Sequence, residues 1–107
     1  KKNNINSFLA VLKRFGRKNH GFLSFPTKGW TLALDIPVAQ KNILKILDSL
    51  DEELATIGGK LYLAKDLRQK PLTFKKTYPT YEHWRAIKSN MDPQNIFQSE
   101  LSKRLQF

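Results

Sequence analysis

The sequence predicts an α+β domain, an antiparallel sheet with helices packed on one face. Three observations predict it. Large and smaller residues alternate from Trp30 to Ile36, the period of a half-buried strand. Apolar residues recur at Ile43, Leu47, Leu50, Leu54 and Ile57, one stripe along a helix. Taken in order, the segments read β, β, β, α, β, α, α, a split α+β pattern in which a packed helix separates the last strand from those before it.

Ser7 to Phe15 reads as a strand carrying Phe8, Leu9, Val11, Leu12 and Phe15; a short amphipathic helix is the alternative. Gly16 to Gly21 is a polar, glycine-flanked loop. Phe22 to Phe25 is a short extended piece stopped by Pro26, and Lys28-Gly29 turns the chain. Trp30 to Val38 is the clearest strand. Trp30, Leu32, Leu34 and Ile36 share one bulky face, which belongs in a core; Thr31, Ala33 and Asp35 share the other. Small residues at 31 and 33 leave room for something to lie on that second face. Ala39 to Ile57 is the clearest helix, with Asp48, Asp51, Glu52 and Glu53 mainly toward solvent and Gly58-Gly59 as its stop. Lys60 to Ala64 reads as a further strand, so that strand 30–38, the helix and strand 60–64 make a right-handed crossover. Pro71 opens a short helix over 72–77. Thr80 caps a helix running to about Asn90, Asp92-Pro93 restarts the chain as cap and first helical residue, and Ser99 caps a last turn through Leu105.

A chain of 107 residues holds one domain. Its 19 Lys plus Arg against 9 Asp plus Glu give a net charge of +10, which suits an anionic partner such as nucleic acid, a phosphate or a membrane surface. It has no cysteine, so disulfides, thiolate nucleophiles and Cys-ligated zinc are excluded. No apolar run approaches the ~20 residues of a membrane span, and no secretory signal is visible. The chain opens Lys1-Lys2-Asn3-Asn4 without a methionine, which leads us to expect a fragment or a processed form.

Most candidates for chemistry have plainer readings. His20 and His83 lack carboxylate partners at metal spacing, so no metal site is expected. The acidic run Asp51-Glu52-Glu53 reads as a solvated helix face. Gly58-Gly59 follows a helix and precedes a strand, the reverse of a dinucleotide-binding loop. Lys13-Arg14-Phe15 and Phe74-Lys75-Lys76-Thr77-Tyr78 interleave basic and aromatic residues, the basis of an alternative reading as a small basic domain binding nucleic acid or another anionic surface. Nucleic acid is nonetheless not expected, because the paired aromatic signatures of RNA-recognition sheets are missing. Tyr62 and Lys65 leave a strand end three residues apart. In a regular strand they face opposite ways, so they meet in one pocket only if the chain bends near Ala64. Spacing alone favours an exposed lysine and a half-buried tyrosine.

Several segments together carry a resemblance. They are Phe15-Gly16, Leu23-Ser24-Phe25-Pro26, Gly29 to Asp35, Gly58 to Asp66, Tyr78-Pro79, Trp84-Arg85, Asp92-Pro93, Phe97, Ser99 and Arg104-Leu105. From about residue 8 to 107 the chain resembles the C-terminal substrate domain of FAD-linked oxidases of the vanillyl-alcohol-oxidase superfamily. It is most similar to the decaprenylphosphoryl-β-D-ribose oxidase group.

The resemblance implies that residues 1–107 are the C-terminal part of a substrate domain. FAD would be bound mainly by an upstream domain of the same protein, and the chain alone would be inactive. It implies oxidation of a sugar-type secondary or primary alcohol by hydride transfer to flavin, on a small sugar-like or polyprenyl-phosphate-sugar substrate. It places the parent in the cytoplasm, with peripheral membrane association. By position, Lys65 matches a pocket lysine that contacts both flavin and substrate, the expected catalytic and cofactor-binding residue. Tyr62 matches a pocket tyrosine, Lys13 and Phe15 a basic and an aromatic residue beside the substrate, and Thr31 and Ala33 two pocket positions on the flavin side. Those last two are often Asn and Cys in the ribose-oxidase group, a departure that bears on the exact substrate. A lysine at that place serves either as a fixed charge or as the acceptor of the hydroxyl proton.

Overall fold

The computed structural model describes residues 5–107. Strands β1 (Leu9–Phe15) and β2 (Gly29–Asp35) pair antiparallel, in a register running from Leu9 opposite Asp35 to Phe15 opposite Gly29. Directly opposed residues share a face. One face therefore carries the pairs Ala10–Leu34, Leu12–Leu32 and Arg14–Trp30; the other carries Val11–Ala33, Lys13–Thr31 and Phe15–Gly29.

The α+β class holds, but among the described residues the sheet is a two-stranded ribbon. Neither 22–25 nor 60–64 is a strand, and the expected crossover is not made. Side chains and turns claim the backbone groups a ladder would need. Ser24 donates its N–H to Gly21 and closes a turn. The Tyr78 hydroxyl takes the Leu61 carbonyl at 2.6 Å, and Lys65 N–H returns to the Tyr62 carbonyl at 3.0 Å, winding Leu63–Lys65 into a 3-10 turn.

Helix α1 (Ile43–Thr56) starts later than its periodicity suggests, because Asn42 is left-handed and turns occupy 37–43. It ends as expected. Gly58 at φ 74° lets its N–H reach Ala55 and lets Gly59 N–H reach Leu54, the paired bonds of a glycine stop. The apolar stripe is only partly covered: Ile43 is buried, but Leu50 is 48% and Ile57 81% exposed. Asp51, expected in solvent, is buried. It lies eight residues from Ile43, on the same seam, and receives a two-pronged Arg68 guanidinium at 2.8 Å on each oxygen. Arg68 and Lys70 also bridge to Asp48, whose carboxyl is held below its ordinary pKa chiefly by the Lys70 hydrogen bond.

The core sits among α2 (Pro71–Thr77), α3 (Tyr81–Met91) and α4 (Glu100–Leu105). Phe74, Tyr78, Tyr81 and Leu105 are its buried members, and Leu23, Leu63, Trp84, Leu101 and Phe107 pack around them. Pro71 stands at the helix start, where its missing N–H costs nothing. Ser99 and Ser102 cap each other's backbone N–H at the start of α4. No described helix is long and apolar enough to cross a membrane.

Asp92 opens no helix. Its carboxylate instead accepts the N–H groups of Ile96 and Phe97 at 2.8 and 2.9 Å, around a left-handed Asn95. Burial opposes ionisation there, but these bonds and Lys88 outweigh it, so the folded pKa lies below the ordinary 3.8. A depressed carboxyl pKa stabilises the fold fully above that ordinary, unfolded value and loses the contribution as pH falls through the folded one. Urea midpoints of wild type and Asp92→Asn are therefore expected to differ most at neutral pH and to converge in acid. A gap that stays constant down to acid pH would show that ionised Asp92 contributes nothing.

Candidate functional site

The ribbon's register decides which candidates meet. Lys13, Phe15, Thr31 and Ala33 all lie on one face, with Lys13 directly across from Thr31 and Ala33 across from Val11. Val11, Phe15 and Thr31 are half-buried, whereas Lys13 and Ala33 are open. The opposite face was expected to be core, yet Trp30 is 67%, Leu32 58% and Leu34 45% exposed. The helices close a core of their own around Phe74, so nothing among the described residues covers that bulky face beyond Arg14, whose guanidinium lies 5.9 Å from the Trp30 ring.

The small-residue face is joined to the helices through the 21–26 loop. Phe25 meets Phe15 edge-on at 5.7 Å and Tyr62 at 5.0 Å, so three aromatic rings run from the ribbon to the 3-10 turn. The loop is pinned along its length. The Thr80 hydroxyl donates to the Phe22 carbonyl instead of capping α3, Phe22 stacks on His83, Leu23 enters the core, and Lys60 Nζ donates to the Ser24 carbonyl at 3.1 Å. Burial, with Lys18 nearby, lowers the Lys60 pKa.

Tyr62 and Lys65 were read as ending a strand. The 3-10 turn replaces that strand and bends the chain between them. Tyr62 is the extended residue just before that turn and Lys65 its last residue, joined by the bond from Lys65 N–H to the Tyr62 carbonyl. Both are exposed, and among the described residues Lys65 has no carboxylate within 4 Å. The turn is held from below by Tyr78, whose hydroxyl pKa is pushed up by burial and by Asp66, so it stays a protonated donor. Asp66, immediately after Lys65, is gripped by Arg104 of α4.

Sequence reasoning gave no role to Phe25, Asp66 or Arg104. Phe25, locked before Pro26, carried a local signal; Asp66 and Arg104, 38 residues apart, stood out only as members of the segments that carry the resemblance. Among the described residues no three potential metal ligands cluster. A cleft lined by Arg85, Lys88, Asp92, Ser102 and Phe107 lies between α3 and α4 and includes none of the candidate residues.

A family model and two curated proteins match the chain. The family model for D-arabinono-1,4-lactone oxidase matches residues 14–105. The chain is 41% identical over 96 residues to an uncharacterized protein in the mprA 5' region of Streptomyces coelicolor, covering 90% of this chain and 26% of that protein. It is 39% identical over 100 residues to the decaprenylphosphoryl-beta-D-ribose oxidase of Mycolicibacterium smegmatis, covering 94% of this chain and 22% of that protein. The chain thus spans about a quarter of the length of these curated relatives.

Proposed function

Because the chain belongs to the D-arabinono-1,4-lactone oxidase family, a family of FAD-linked oxidases, we propose that it forms one wall of the substrate pocket in a longer FAD-dependent oxidoreductase acting on a sugar-type alcohol. In that reading residues 1–107 are the C-terminal part of the substrate domain, and an upstream domain holds most of the FAD. The substrate is a small sugar or, by analogy with the relative's name, a polyprenyl-phosphate sugar. A cytoplasmic parent attached peripherally to a membrane belongs to the same proposal, and the net charge of +10 supports it.

The observation that carries this reading is the shared face of Lys13, Phe15, Thr31 and Ala33, joined through Phe25 to the turn bearing Tyr62 and Lys65. These residues suit the ring end of a flavin. Small side chains at 31 and 33 leave the ribbon open to a flat group, and among the described residues the Lys65 ammonium has no carboxylate within 4 Å. They do not suit its pyrophosphate, since no glycine-rich loop opens a described helix. When bound, FAD would supply a two-electron acceptor for the carbinol hydrogen as hydride, with the hydroxyl proton passing to water as the carbonyl forms. Lys65 would place a positive charge beside that acceptor, Tyr62 and Lys13 would orient hydroxyl or phosphate oxygens, and Phe15 and Phe25 would exclude water.

The test is stopped-flow flavin reduction in the full-length protein with a sugar alcohol and a simple aliphatic alcohol of similar size. Faster bleaching with the sugar supports the reading; no bleaching with any sugar-type alcohol would overturn it. Ala33→Phe adds a ring to the open face, so it is expected to raise the half-saturating substrate concentration at least about tenfold while melting hardly moves. A large fall in melting with unchanged affinity would mean that Ala33 faces a core.

A further inference from the structure

Lys65 is held between two anchors. Before it, Tyr78 and Lys60 tie down the Leu61 and Ser24 carbonyls. After it comes Asp66, whose side chain is only 6% exposed although it carries a charge. One carboxylate oxygen accepts the backbone N–H groups of Arg68 and Gln69 at 3.1 and 2.9 Å. The other accepts both terminal nitrogens of Arg104 at 3.1 Å. Arg104 spends its remaining reach on backbone, donating to the Asp66 carbonyl at 3.0 Å and to the Gln69 carbonyl at 2.6 Å.

The guanidinium therefore grips residues 66–69 through main chain and side chain together, in a charge-assisted fork that a lysine ammonium cannot reproduce. This clamp is more than α4 needs for its own seat. Leu105 is fully buried in the core, and the Ser99–Ser102 cap closes the helix start. The clamp takes hold at Asp66, the residue that closes the short 3-10 turn, a poorly bonded structure whose last residue is Lys65.

We propose that Asp66 and Arg104 are positioning residues that set the place of the Lys65 ammonium, an inference that rests on the reading of Lys65 given above. A group held within a fraction of an ångström matters because a displacement of about 1 Å in a reacting geometry can cost 10²-fold.

The test is a double-mutant cycle in the full-length flavoprotein, read as the single-turnover flavin reduction rate at saturating substrate. Arg104→Lys keeps the charge and loses the fork. Asp66→Asn keeps the shape and loses the charge; where it fails to fold, Arg104→Lys carries the cycle. Each is expected to slow reduction by up to about 10²-fold, with flavin occupancy and half-saturating substrate nearly unchanged. In a Lys65→Met background neither should slow it further. Equal slowing in both backgrounds would overturn the inference, since the clamp would then serve the fold or another group. So would an Arg104→Lys protein that reduces flavin at the wild-type rate. If Lys65→Met alone leaves the rate unchanged, the reading of Lys65 falls and the inference falls with it, an outcome that single variant identifies.

Discussion

Lys65→Met is expected to slow flavin reduction by about 10²–10³-fold in the full-length protein, the usual loss when one preorganised charge contact leaves a water-poor site. Methionine keeps the length and most of the volume of the side chain, so the change removes charge and little else. Folding is expected to survive, because Lys65 is exposed and its backbone bonds to Tyr62 and its neighbours do not involve the ammonium. Flavin retention is expected to survive as well, since cofactor holding is assigned upstream. Lys65→Arg restores the charge on a larger, planar group that does not readily exchange a proton, and should rescue only in part. Stopped-flow absorbance over a range of substrate concentrations separates the rate from binding. A Lys65→Met protein that bleaches at the wild-type rate would make this an ordinary surface lysine.

Phe74→Ala is expected to cost about 3–5 kcal/mol, the usual penalty for emptying a large buried aromatic site. Phe74 is fully buried and is the hub of the ring cluster, with Tyr78 at 5.3 Å, Tyr81 edge-on at 5.2 Å and Phe107 at 5.3 Å. Against a total stability of roughly 5–15 kcal/mol for an ordinary domain, that loss is severe. It also reaches the candidate site, because Tyr78 bonds the Leu61 carbonyl four residues ahead of Lys65. Urea unfolding midpoints measure it. Leu72→Ala is the control: Leu72 sits two residues away on α2 but is 74% exposed, and surface changes stay within about 0.5 kcal/mol. If the two variants shift the midpoint equally, the core has been misplaced.

Much of the candidate site was legible from parity. Residues 13 and 15, and 31 and 33, are each two apart, so any strand reading puts each pair on one face. That the two pairs share a face depends on register, and the antiparallel pairing of Lys13 with Thr31 settles it. Joining that face to Tyr62 depends on Phe25, which no spacing rule singles out.

By itself the sequence determined what is local: the alternation of β2, the glycine stop after α1, the proline at the start of α2 and the Ser99 cap of α4. Each rests on atoms within a few residues of one another, so the chain carries its own answer. Tertiary structure decided what depends on distant partners. Residues 60–64 have strand-like composition, but Tyr78 and Arg104 bond the backbone around them and leave a 3-10 turn. Asp51 looks solvent-facing until Arg68, seventeen residues on, makes its burial affordable. The apolar face of the ribbon looks like core until the helices close around Phe74 without it. Burial is a property of what lies opposite a side chain, and in all three cases that was set by chain far away in sequence.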